Sequence, residues 1–151
     1  MAQVGKVVVA STVAASQFTG TLAQNAAAFL SLDLASFGVG QRVDAIIQAI
    51  QILSMENLSW EVWFFRTNAQ DPADADVNRF TGYWAFGTTA VQIGGAGLFH
   101  YYIDGLSIPY QDEQQTSKLH LALINRSAAG KSAGANGAIR VQVTLAPTLG
   151  W

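Results

Sequence analysis

The chain has 151 residues, of which 50% are hydrophobic, 11% aromatic and only 12% charged, with a formal net charge of −2. That length suits a single domain, while the absence of cysteine excludes a disulfide framework and thiolate metal sites. The scattered basic residues exclude the charge footprint of a nucleic-acid binder, and no window reaches the ~18 apolar residues expected of a membrane-spanning helix.

Soluble domains usually carry about 25% charged residues. A surface this short of charge exposes apolar patches unless other chains cover it, so an oligomer or a larger assembly is expected. The N-terminal text MAQVGKVVVASTVAAS has the outline of a signal peptide. However, only one Lys precedes its apolar run, and Ser11 and Thr12 interrupt it. KVVVASTV reads better as a strand. Residues 1–38 are expected to supply a strand and an arm, within or extending from a β-sandwich domain over 39–151, with a short helix at Gln24–Leu30.

Arg42–Leu53, RVDAIIQAIQIL, fits a helical stripe through Val43, Ile46, Ile47 and Ile50. Its isoleucine content favours a strand instead. After a turn near Glu56-Asn57 comes SWEVWFF, read as a second strand and as a hairpin partner for the first. Strand side chains alternate between faces. Leu58, Trp60, Val62 and Phe64 therefore form a core face, and Ser59, Glu61, Trp63 and Phe65 form a second face that is also aromatic.

NAQDPADADVN follows as an acidic loop, then FTGYWAF, Val91-Gln92-Ile93 and the glycine-rich GGAG of residues 94–97. LFHYYIDGLSIPY reads as strand, broken at the turn dipeptide Asp104-Gly105. In KLHLALIN, Leu119, Leu121 and Leu123 share one face, and His120, Ala122 and Ile124 the other. A loop, RSAAGKSAGANG, leads to AIRVQVTLAP, where Ile139, Val141, Val143 and Leu145 alternate with polar residues. Short strands separated by loops, without a long helix, predict an all-β fold: an antiparallel β-sandwich or jelly roll.

Chemistry-bearing patterns are few. Gly130-Lys131-Ser132 resembles the end of a phosphate loop, but the glycine required five positions earlier is Asn125, and no helix follows. Asp71, Asp74 and Asp76 offer hard oxygen ligands for a cation, without EF-hand spacing. His100 and His120 have no signalled third ligand, and no Gly-x-Ser-x-Gly elbow is present. A hydrolase would require Glu61, His100 or His120 to meet a second titratable side chain, and Glu61 could equally pair with an arginine. No enzyme, cofactor or metal is expected.

The aromatic residues Trp60, Trp63, Tyr83, Trp84, Tyr101, Tyr102 and Tyr110 admit two readings. They could form the stacking platform of a carbohydrate-binding module, which requires Trp63 or Trp84 to be exposed. Low charge favours core and subunit interface instead. The interface candidates are Trp63, Phe65, Trp84, Tyr101 and Tyr102. One sheet pair leaves Trp63 and Phe65 uncovered, so their cover is expected from another copy of the chain or from the N-terminal segment.

Several elements together resemble the small jelly-roll head decoration, or cement, proteins of tailed bacteriophages. They are the isoleucine-rich AIIQAIQIL, the aromatic WEVWFF, the loop DPADADVNRF, the leucine-rich LHLALINRSA and the closing GAIRVQVTLAP, spanning roughly residues 40–147. The resemblance implies a non-enzymatic homotrimer on the capsid exterior, bound where major capsid subunits meet and bracing the shell of the virion. It carries over no catalytic residue, no contact with nucleic acid or membrane, and nothing for residues 1–38.

Overall fold

The computed structural model describes residues 8–11, 24–34, 43–68, 79–87, 91–93, 97–127 and 139–148. Within them run β1 (Val8–Ser11), β2 (Ala27–Asp33), β3 (Asp44–Ser54), β4 (Trp60–Phe65) and β5 (Phe80–Gly87). Then come β6 (Val91–Ile93), β7 (Leu98–Ile103), β8 (Ile108–Gln111), β9 (Lys118–Asn125) and β10 (Ile139–Pro147). No α-helix occurs among the described residues.

The strands form two antiparallel sheets packed face to face. The larger has the order β1-β10-β3-β7-β6, with β8 also paired to β3, and the smaller has the order β2-β9-β4-β5. The chain crosses from one sheet to the other at β1–β2, β2–β3, β3–β4, β5–β6, β8–β9 and β9–β10. With β7 and β8 read as one interrupted strand, this is a jelly roll. The expected hairpin between β3 and β4 is therefore corrected. They lie in different sheets: β10 takes one edge of β3 and β7 with β8 the other, while β9 and β5 take both edges of β4, so the two strands meet only across the core.

The Gln24–Leu30 helix is also corrected. Asn25 has φ 60°, outside the helical region, and from Ala27 the chain is strand. Ala28, Leu30 and Leu32 point inward at every second position and pair through β9. Alanine-rich text favoured helix locally, but the period-2 burial won. Segment 1–38 thus gives one edge strand to each sheet.

The ambiguous period of Arg42–Leu53 has a structural cause. Thr144 on β10 faces Ala49, whereas Leu145 faces Ile47, so Gln48 is an inserted residue, a β-bulge. The bulge puts Ala45 and Ile47 on the same face as Ile50 and Ile52, all buried. A strand with one such step shows a three-residue spacing that mimics a helical stripe. β3 pairs with β8 before the bulge and with β7 after it, along one edge. The intervening turn is tied back by the Leu106 amide, which donates to the Gln48 carbonyl at 2.9 Å.

Leu30, Leu32, Ile47, Ile50, Ile52, Trp60, Val62, Phe64, Leu119, Leu121, Leu123, Val141, Val143 and Leu145 make the common core. Burial of a side chain of this size contributes about 1.5–3 kcal/mol. Two tyrosines bridge the sheets through this core. From β7, the Tyr101 hydroxyl donates to the Leu58 carbonyl at 2.6 Å and accepts the Leu58 amide at 2.9 Å, just before β4. From β8, the Tyr110 hydroxyl donates to the Lys118 carbonyl at 2.6 Å and accepts the His120 amide at 3.0 Å on β9. Burial raises the pKa of both phenols, so both remain protonated donors throughout the physiological range.

Along one side the sandwich closes where β5 meets β8. The Thr81 hydroxyl donates to the Pro109 carbonyl, and a Cβ at Gly82 would lie 2.5 Å from Ile108 Cγ2. Glycine here answers a close approach, not a turn. Gly82→Ala is expected to cost about 1–3 kcal/mol by overpacking, measured by urea denaturation. Ile108→Ala should be less destabilising in the Gly82→Ala background than alone, since it removes the clashing methyl.

Candidate functional site

The smaller sheet is apolar on both faces. Its inner face joins the core, and its outer face carries a second cluster built on Phe65, Ala122 and Ile124, with Ala27, Phe29, Trp63 and Phe80 packed around them. The cause is the alternation in β4 and β9. Odd-numbered leucines of β9 point inward, which sends His120, Ala122 and Ile124 outward opposite Phe65, Trp63 and Glu61 of β4. Across β4, β5 aligns Tyr83 with Trp63 and Phe80 with Phe65.

The rings interlock. Trp63 meets Phe80 edge-on at 5.3 Å between centroids and Tyr83 at 6.1 Å, and Phe80 lies 6.2 Å from both Phe65 and Tyr83. Geometries of this kind add about 0.5–1.5 kcal/mol per pair beyond area burial. Phe65 is 2% exposed and Tyr83 54%, so the cluster shelters its own centre and presents Tyr83 to its surroundings. Polar groups stand at its ends. At one, Arg126 Nε donates to Glu61 Oε2 at 3.1 Å, the Trp63 indole N–H donates to Glu61 Oε1, and Arg126 also donates to Asn25 Oδ1 at 3.1 Å. At the other, Lys118 pairs with Asp33.

The interface candidates thus scatter. Trp63 and Phe65 share the outer cluster, Phe65 already buried by its own chain, principally by Phe80 and the β9 side chains. Trp84 faces inward beside Val62 and packs half-buried against the core. Tyr101 is fully buried against Phe86 and is a core residue, not a surface one. Tyr102 is 55% exposed but lies on the larger sheet, stacked on His100. Trp63 and Trp84 are each half-buried and lie on opposite faces of the smaller sheet, so they do not form one shared platform. Phe29, Phe80 and Tyr83 complete the cluster. The missed signal was the register of β5, which no local pattern reveals.

One convergence of titratable groups does exist. Asp112, fully buried, accepts the amides of Gln114 at 3.2 Å, Thr116 at 2.8 Å and Lys118 at 3.2 Å, together with the Thr116 hydroxyl at 3.0 Å. His120, 3% exposed, places Nε2 3.6 Å from Asp112 Oδ1 and Nδ1 2.8 Å from Ser31 Oγ. The ring is turned the opposite way from a hydrolytic triad, in which the carboxylate holds Nδ1 and the serine meets Nε2. With the Asp112 carboxylate already accepting three backbone amides and the Thr116 hydroxyl, the set ties the loop between β8 and β9 to the end of the smaller sheet. Asp71, Asp74 and Asp76, and Gly130-Lys131-Ser132, lie outside the described residues.

Neither a scan against protein-family models nor a search of curated proteins returns a match for this chain.

Burial pushes the His120 pKa below its ordinary value, an effect only partly opposed by the Asp112 carboxylate. The folded protein therefore binds fewer protons than the unfolded chain at mildly acidic pH. This contribution to stability is full above about pH 6.5 and is lost as pH falls from there through the lowered folded-state pKa. Denaturation midpoints recorded from pH 8 to pH 5 should fall on the acid side, and His120→Gln should flatten that slope. An unchanged slope would contradict the assignment. Asp112→Ala, which strips several buried donors of their acceptor, should destabilise by about 3 kcal/mol or more at pH 7.

Proposed function

We propose that the protein is a virion structural protein: a capsid decoration, or cement, protein that self-associates and sits on the outside of a bacteriophage head. The observation that carries this reading is the outer face of the smaller sheet, an aromatic cluster in a chain with only 12% charged residues. An apolar centre with ion pairs at its margin is the anatomy of a subunit interface. Aromatic anchors at such centres supply much of the binding energy. The strand and loop pattern over residues 40–147, similar to phage cement proteins, supplies the assembly and points to a trimer.

A second copy of the chain covers Trp63, Phe80 and Tyr83 in this reading. The loops, or the N-terminal segment, meet the major capsid protein. The jelly roll offers rigidity well suited to bracing a shell. Its strands hold both apolar faces of the smaller sheet at fixed spacing, so that one face stabilises the subunit while the other joins subunits.

Light scattering on the purified protein should give a stable oligomer, and the protein should co-sediment with phage heads that lack it. Tyr83→Lys places a charge on the exposed part of the face, on the edge strand β5, without touching the core. It should weaken self-association at least tenfold while leaving the thermal transition of the subunit in place. A wild-type protein that is monomeric at all concentrations would remove the self-association step. An oligomer that never binds capsids would remove the decoration role.

A further inference from the structure

The larger sheet carries a different kind of surface. Where β3 bulges and the turn between β7 and β8 folds back on it, a groove of about 470 Å³ opens, bordered by Gln48, Tyr102, Asp104, Ser107 and Thr144. Its volume lies within the range of small-ligand sites. The bulge sends Gln48 outward, and the bond from the Leu106 amide to the Gln48 carbonyl at 2.9 Å fixes the opposite wall. Gly105, at φ 68°, makes the turn possible. Gln48, Asp104 and Ser107 are all exposed.

Tyr102 forms the apolar side of this groove. His100 flanks its ring, with centroids 6.0 Å apart and planes at 25°, and the tyrosine is 55% exposed. A ring placed in this way beside a carboxylate, an amide and two hydroxyls matches the two-sided character of a pyranose. Such a sugar has C–H groups on one face that stack on an aromatic ring, and hydroxyls around its edge that need both donors and acceptors. Asp104 accepts only, whereas Gln48 offers both functions. The open carboxylate, with a chain net charge of −2, disfavours acidic sugars.

We propose that this groove is a binding site for a neutral saccharide, with one pyranose ring on Tyr102 and its hydroxyls held by Asp104, Gln48 and the Ser107 and Thr144 hydroxyls. The site lies on the opposite sheet from the self-association face, so a subunit assembled through Tyr83 still presents it. It gives a head-bound protein a means of adhering to surface glycans, and it stands or falls separately from the decoration role.

The test is affinity electrophoresis in native gels containing dextran, yeast mannan, galactomannan or laminarin, with alginate as the acidic counterpart. At least one neutral polymer should retard the protein, and alginate should not. Tyr102→Ala should weaken that retardation at least tenfold and Asp104→Asn several-fold. Met55→Ala, just past the end of β3 and 58% exposed, should behave as wild type. Circular dichroism confirms that each variant is folded, which the exposure of these side chains makes the expected result. Retardation by none of the neutral polymers, equal retardation by alginate, or full binding by folded Tyr102→Ala would each overturn the proposal.

Discussion

Apolar contact has no direction, so a core of leucine, isoleucine and valine would by itself tolerate small slides of one sheet across the other. The hydroxyls of Tyr101 and Tyr110 remove that freedom. Each leaves the larger sheet, crosses the core, and joins both a carbonyl and an amide at the end of a central strand of the smaller one. A buried hydroxyl without a partner is costly, so any slide that broke these bonds would be penalised even where the apolar packing was equally good. The two contacts sit at opposite ends, one before β4 and one at the start of β9. Together they set both the offset and the angle between the sheets.

With that alignment fixed, the smaller sheet can be apolar on both sides without ambiguity about which side faces in. A one-residue slip would exchange the faces of β4 and β9, replacing leucines with His120, Ala122 and Ile124. The Tyr110 bonds to Lys118 and His120 hold β9 against this slip, and the Asp112 loop anchors its first residues. Specification of the inner face thus also specifies the outer one. The aromatic cluster is as well defined as the core, although much of it lies at the molecular surface.

Much of this was legible from residue order alone. Alternation in Ile139–Leu145 and in Leu119–Leu123 marks the strands directly, and the two-faced aromatic pattern of Trp60–Phe65 anticipates a second cluster. What remained hidden depends on pairs distant in sequence. Tyr101 and Tyr102 look alike as neighbours, yet one is core and the other open. Only the pairing of β7 with β3, and the reach of one hydroxyl to Leu58, separate them. The grouping of Asp112, His120 and Ser31 spans three elements and follows no spacing rule. The helix expected at Gln24–Leu30 failed because its alanines serve as small residues on a crowded sheet.

The bulge at Gln48 divides labour along a single strand. Before and after it, β3 holds register with β10 and contributes Ile47, Ile50 and Ile52 to the interior. At the bulge itself the backbone turns Gln48 outward and receives a turn that reaches the core through Leu106. Change at the exposed positions of that turn, Asp104 and Ser107, would leave the buried ladder intact. The fold thereby sets an open, replaceable surface directly beside its most constrained strand, so that the two can be altered independently.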